Sequence, residues 1–214
     1  MLDSYFRAIL LDLLRKYRVY YTIATILVVF GFISLLWFPK GGAVLWFDKH
    51  SSEGMDTFFL LITQIGEILG AIIVLLVLVF FADKKFRVIF PISVVLMLFI
   101  SQGLKHFVYE DEHRPSYTYK SLHYIDGLER HANNSFPSGH TTAAFSYLTL
   151  IALAFNKNYV QVLAPVIAAL VGISRVYLGQ HYLHDVVVGA VLGIVLATLV
   201  THLYSSYLNK KKGI

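Results

Sequence analysis

Apolar residues in this chain come in long, nearly unbroken runs set apart by short polar breaks, not in the alternation of a half-buried strand or the stripe of a surface helix. The runs are Tyr20–Phe38, Thr57–Phe81, Phe86–Val108, Pro137–Phe155, Tyr159–Leu178 and His184–Tyr204. Each is near the ~20 residues that a helix needs to cross ~30 Å of hydrocarbon. The pattern predicts an all-α polytopic membrane protein with six transmembrane helices in a single domain over residues 1–214. Ahead of the first run, Leu2, Phe6, Ile9, Leu10, Leu13 and Tyr17 recur at three- and four-residue spacing, with Asp3, Arg7, Asp12, Arg15 and Lys16 between them. That spacing predicts an amphipathic helix over residues 1–18, either lying on the membrane interface or packed on the bundle. Most connections are short, whereas Tyr109–Phe136 forms a long loop of the kind that is usually functional in a compact domain.

Composition supports the membrane reading. The chain is 57% hydrophobic and only 14% charged, against about 25% charged residues in soluble domains. It has no cysteine, which excludes disulfides, thiolate metal sites and a cysteine nucleophile. The first run is too long for a signal-peptide core and ends in WFPK, so it reads as a retained anchor. The net charge of +5 lies beside the spans and not on a soluble face, so nucleic acid is not an expected partner. Of the 18 Lys and Arg, eleven fall on one side: Arg7, Arg15, Lys16, Arg18, Lys84, Lys85, Arg87, Lys157, Lys210, Lys211 and Lys212. By the positive-inside rule both termini are cytoplasmic, and the loops 40–56, 109–136 and 179–183 face outward. An integral protein of a bacterial inner membrane, with its site on the periplasmic or exterior face, is the expected localisation.

Residues capable of chemistry gather at that outer border. Lys105 ends the third run, Arg114 lies in the long loop, Ser138, Gly139 and His140 open the fourth run, Ser174 and Arg175 close the fifth, and His181 and Asp185 flank the start of the sixth. Singly, a border Lys or Arg only snorkels and a Ser only caps a helix. Together, three cations and a helix N-terminus from separate segments describe a site for a multiply charged anion such as phosphate. Gly139 lets an anion approach the backbone, and the Ser138 and Gly139 amides point from the helix end. His181 and Asp185 are four apart, so the carboxylate can hold one ring nitrogen and free the other to attack phosphorus. His140, from another helix, can protonate the leaving oxygen. His184 is a rival nucleophile, but as a direct neighbour of Asp185 it is expected to point elsewhere. The three loop histidines, His113, His123 and His131, match no usual ligand spacing, so no metal is expected.

Three segments, KHFVYEDEHRP from Lys105 to Pro115, PSGH from Pro137 to His140, and SRVYLGQHYLHD from Ser174 to Asp185, resemble the signature motifs of the type 2 phosphatidic acid phosphatases, the PAP2 lipid phosphate phosphatases. The last two fit the family pattern throughout. The first departs from it, with eight residues where the family usually has six between Lys105 and the Arg114-Pro115 pair. The resemblance implies a PAP2/haloperoxidase-like helical bundle. It also implies a metal-independent phosphoric ester or diphosphate hydrolase that acts through a phosphohistidine on His181, with Asp185 orienting it and His140 as acid. Lys105, Arg114, Ser138, Gly139, Ser174 and Arg175 would bind phosphate, with no cofactor. Soluble relatives use the same residues to hold vanadate for halide oxidation.

Other features are more open. Glu67, inside the second run with Gln64 one turn earlier, either meets the substrate path, pairs with a cation below the pocket, or is a protonated structural group. Gly189 and Gly193 form a small-xxx-small pattern expected to pack helices within the bundle. Trp37, Trp46, Tyr109, Tyr177 and Tyr182 are expected as an outer aromatic belt. The sequence therefore points to a phosphatase acting on a membrane lipid: phosphatidic acid, phosphatidylglycerophosphate, undecaprenyl diphosphate or a lipid A type. The alternatives are a non-catalytic lipid-phosphate binding or transport protein and a haloperoxidase-like enzyme. The oligomeric state is open.

Overall fold

The computed structural model describes residues 2–107, 109, 112–123, 125–126 and 128–211, with the backbone alone for 2–8. The side chains of Leu2, Asp3, Phe6 and Arg7, the loop residues Glu110 and Asp111, and Lys212 of the basic tail lie outside the described residues. All regular structure among the described residues is helical: α1 (Leu2–Lys16), α2 (Arg18–Trp37), α3 (Gly42–Lys49), α4 (Glu53–Thr63), a 3₁₀ turn (Gln64–Gly66), α5 (Ile68–Phe81), α6 (Phe86–Phe107), α7 (Pro115–Thr118), α8 (Gly139–Phe155), α9 (Asn158–Tyr177) and α10 (Leu183–Lys211). The protein is an integral membrane protein. Four helices, α2, α6, α9 and α10, are long and apolar enough to cross a bilayer singly.

The second run, expected as one span, is instead two helices bent by 55° at the Gln64–Glu67 break. Glu67 leaves the helix in an extended conformation, and the turn still satisfies its backbone through Glu67 N–H to Gln64 O and Ala71 N–H to Glu67 O. Only the α4–α5 pair taken together gives a fifth crossing. The fourth run is shorter than expected, because Pro137 and Ser138 stay outside the helix. At 17 residues, α8 reaches about 25 Å at a rise of ~1.5 Å per residue, short of ~30 Å.

α8 is the hub of the bundle. Eleven of its 17 residues are buried, as expected for a helix that is apolar all round, and it packs on α6, α9 and α10. Between helices in lipid there is no hydrophobic gain, so close approach and dispersion hold the contact. The two glycines of α10 provide that approach. A methyl group on Gly193 would collide with the Thr142 carbonyl, and one on Gly189 would lie 2.9 Å from the Ser138 carbonyl. The small-residue pattern is thus spent inside the chain. Thr142 and Thr149 return their hydroxyls to the carbonyls of Ser138 and Phe145. α1 packs on the bundle through buried Leu13 and Tyr17 while Leu11 and Leu14 stay exposed.

The aromatic belt is smaller than expected. Trp37 and Trp46 are exposed, but Tyr177 and Tyr182 are buried and hydrogen-bonded to Asp56 and Thr118. Residue type alone did not show which way these rings face.

If the α8–α10 seam is set by glycine, Gly193→Val should cost about 1–3 kcal/mol by overpacking. Thermal unfolding in detergent should show a midpoint several degrees lower, while Gly54→Ala, where a methyl meets nothing within 4 Å, should leave it in place. An unchanged midpoint for Gly193→Val would count against this packing.

Candidate active site

The border residues from five segments meet above the start of α8. Ser138 caps that helix, its Oγ accepting from Thr141 N–H. Its own amide, expected to face an anion, donates instead to the Asp185 carbonyl at 3.1 Å. The cap residue's N–H lies outside the first turn and is used to join α8 to α10, leaving Gly139 as the exposed backbone of the expected pair. Lys105, from the end of α6, stands over that backbone: a methyl on Gly139 would lie 3.6 Å from Lys105 Nζ. Its ammonium is within electrostatic reach of Arg114, Arg175 and Asp185. The eight-residue spacing has not displaced it from the cluster.

The two arginines are held by neutral oxygens. Arg114 enters from the long loop, whose ends are zipped by Arg114 N–H to Ala132 O and Ser135 N–H to Glu112 O. Its Nε donates to Asn133 O at 3.0 Å and its Nη1 to Gln180 Oε1 at 3.0 Å. Arg175, at the end of α9, donates from Nη1 to Thr63 Oγ1 at 2.9 Å, while its buried Nε has no hydrogen-bond partner among the described residues. Lys105, Arg114 and Arg175 are 8%, 8% and 5% exposed. Burying cations is costly without compensation, so the space between them favours an anion. Ser174 is buried beside Arg175, with its hydroxyl turned back to Val171 O at 2.6 Å.

α9 ends in a reversal at Gly179, whose φ of +63° suits a residue without Cβ. Gln180 and His181 both donate their amides to the Arg175 carbonyl, which fixes His181 against the guanidinium turn. His181 is 1% exposed and its Nδ1 lies 3.4 Å from Asp185 Oδ2. That same oxygen accepts from Ser135 Oγ at 2.5 Å and from Tyr182 N–H at 3.0 Å. His184, expected to point away, reaches Asp185 Oδ1 at 2.9 Å. A carboxylate in the first turn of α10 has an oxygen for each side, so sequence adjacency does not separate them. His184 otherwise lines an apolar cavity of about 220 Å³ with Phe38, Pro39 and Tyr182. His140 Nε2 lies 2.8 Å from Glu67 Oε1 at the helix break.

Burial is the main force holding the His181 imidazole down, to a pKa of about 3; Asp185 opposes it and the charges of Arg114 and Arg175 add to it. Burial likewise opposes the Arg114 charge, with Asp185 supporting it. A neutral imidazole beside a cluster of cations is the form that can attack phosphorus.

Residues 86–208 match the sequence profile of the PAP2 superfamily. The chain belongs to the PAP2 superfamily. Phosphatidylglycerophosphatase B of Bacillus subtilis (strain 168) is 44% identical to it over 82 residues, which cover 34% of this chain and 40% of that protein. Undecaprenyl-diphosphatase BcrC of the same organism is 26% identical over 153 residues, 71% of this chain and 76% of that one. The crystal structure of Aquifex aeolicus LpxE superposes with a TM-score of 0.65 at 25% identity, covering 74% of this chain and 92% of that chain. Against the first relatives it matches, the PAP2 chain spans less than half of their length.

Ser135, Gln180, Thr63 and Glu67 contact the expected site residues without having been assigned to them by sequence. Glu67 alone carried a signal, as an acid within an apolar run. The His181 shift gives a stability contribution that is full above about pH 6.5 and drains as pH falls toward about 3, since the unfolded chain binds that proton first. Histidine-labelled NMR at pH 5 should therefore find His181 neutral, and a protonated signal there would contradict the geometry.

Proposed function

We propose that this protein is a metal-independent phosphatase that removes phosphate from a membrane lipid monophosphate or diphosphate. The observation that carries the reading is a neutral, fully buried His181, backed by Asp185, beside three buried cations that form no ion pair among the described residues. Arg114, Arg175 and Lys105 hold the phosphoryl oxygens with the Gly139 backbone, while Ser138 caps α8 and joins it to α10, and Ser174 lines the pocket floor. His181 Nε2 attacks phosphorus, and Asp185 accepts from Nδ1 and stabilises the charge that the ring gains. The P–O bond to the lipid breaks as His140 gives its proton to the leaving oxygen. Water then attacks the phosphohistidine, His140 takes the proton back, and phosphate leaves with the ring neutral again.

The names of the relatives, and a pocket at the end of apolar helices, support a substrate whose tail stays in lipid: phosphatidic acid, phosphatidylglycerophosphate, an isoprenoid diphosphate or a lipid A type. The basic ends of the helices, Arg18, Lys84, Lys85, Lys157, Lys210 and Lys211, lie on the opposite side from the site. They support cytoplasmic termini and a site on the outer face of a bacterial inner membrane, with α8 completing six crossings and α1 on the inner interface. The broken second span is what a transporter would carry. Here Thr63 and Glu67 occupy it with contacts to Arg175 and His140, which a carrier that does no chemistry has no use for.

Purified protein assayed over a panel of lipid mono- and diphosphates should release phosphate, with one class preferred. His181→Ala should lower turnover at least 10³-fold, and labelled substrate should leave phosphate on His181 of the wild type; label on His184 or near-normal turnover of the variant would end the mechanism. Lys105→Ala is expected to cost about 10- to 100-fold through the lost charge-assisted contact, and a loss under threefold would remove Lys105 from the pocket. EDTA should leave the rate unchanged, whereas loss restored by a divalent ion would show a metal requirement.

A further inference from the structure

The break in the second span delivers two residues to the site. Thr63, just before it, holds Arg175, and Glu67, just after it, meets His140. Gly66 lets the turn close on α8: a methyl there would lie 2.6 Å from the His140 carbonyl oxygen. An unbroken helix would carry Glu67 past this point and put a Cβ-bearing surface against the start of α8. The break therefore has a local purpose that its apolar surroundings do not explain.

His140 has the charge problem of an acid built into a cation site. Lys105 from α6 and Arg175 from α9 both repel a proton on its ring, and Glu67 is the carboxylate that faces it. To hand over a proton, the ring must carry one there. With Nε2 engaged by Glu67, Nδ1 is the nitrogen left for the leaving oxygen.

We infer that Glu67 is a positioning residue for leaving-group protonation, fixing the Nε2–H of His140 and stabilising the imidazolium that donates from Nδ1. The inference rests on the phosphohistidine reading given above. In the first step the Nδ1 proton passes to the lipid oxygen as its bond to phosphorus breaks, and Nε2–H stays on Glu67. In the second step Nδ1 takes a proton from the attacking water. Glu67 itself neither gains nor loses a proton, and it touches no reacting atom.

This role predicts a dependence on the leaving group that a merely structural acid lacks. An alkyl oxygen leaves poorly unless protonated, whereas p-nitrophenolate leaves without help. Glu67→Gln should slow the first step, read as the pre-steady-state release of the alcohol from a lipid monophosphate, about 100-fold, change KM by less than threefold, and slow the release of p-nitrophenolate from p-nitrophenyl phosphate by less than threefold. Retained cleavage of the activated ester also reports that the variant is folded. Glu67→Asp should recover at least tenfold of the loss. The double variant should be no slower on the lipid monophosphate than His140→Asn alone. Equal losses on both substrates, or additive effects in the double variant, would overturn the inference while leaving the phosphatase reading standing. A wild-type protein inert toward both substrates would overturn that reading and this inference with it.

Discussion

Three like charges buried side by side are the constraint around which the rest of this structure is arranged. Lys105, Arg114 and Arg175 come from α6, the long loop and α9, and none is more than 8% exposed. Pairing each with a carboxylate would remove the strain and also the affinity for an anion. The chain instead orients both guanidiniums with neutral acceptors, the Asn133 carbonyl, the Gln180 side chain and the Thr63 hydroxyl. Neutral acceptors fix direction and leave the charge unspent for a dianion. The same cations, together with burial, keep His181 unprotonated. One arrangement therefore sets both the charge offered to an anion and the state of the proposed nucleophile.

Two acids near the site, Asp185 and Glu67, are placed where they do not cancel its charge. Asp185 is occupied by Ser135, the Tyr182 amide and the two flanking histidines, and Glu67 is occupied by His140. Each acid is thus committed to an imidazole, and each imidazole stands at a different end of the proposed displacement. The α8–α10 seam makes this spacing rigid, because Ser138 N–H to Asp185 O ties the start of one helix to the start of the other. Glycines at 189 and 193 bring the two axes close enough for that bond.

The helical membrane fold and the residues that gather at one end of its helices were legible in the sequence, because both rest on local signals: apolar run length, and charged or polar residues at run ends. What was not legible depends on contacts between distant segments. The run through Ile62, Ile65 and Ile68 stays apolar across the break, and a glycine in a membrane helix is no stop signal by itself. Glu67 stood out, but its partner lies 73 residues away. Ser135 and Gln180 are ordinary loop residues until the carboxylate and the guanidinium they serve are in place. Tyr177 and Tyr182 have the composition of a membrane belt and the position of core residues, and residue type cannot separate those two. His184 fails for a geometric reason, since the first turn of a helix has no preceding turn to hold neighbouring side chains apart.

The broken span ties these distant parts together. In its first turn α4 carries Asp56, which accepts from Tyr177 Oη at 2.5 Å and pairs with His123 of the long loop at 3.0 Å. At its last residue Thr63 holds Arg175, and the next residues bring Glu67 to His140. The loop that supplies Arg114, the helix end that supplies Arg175 and the helix start that supplies His140 are therefore all braced by one bent segment. A straight helix could touch one end of this cluster or the other. Bent by 55°, with Glu67 N–H bonded to Gln64 O and Ala71 N–H to Glu67 O across the turn, it reaches both. The proposed phosphate binding and leaving-group protonation thereby share a common support, and a shift of α4 would alter both at once.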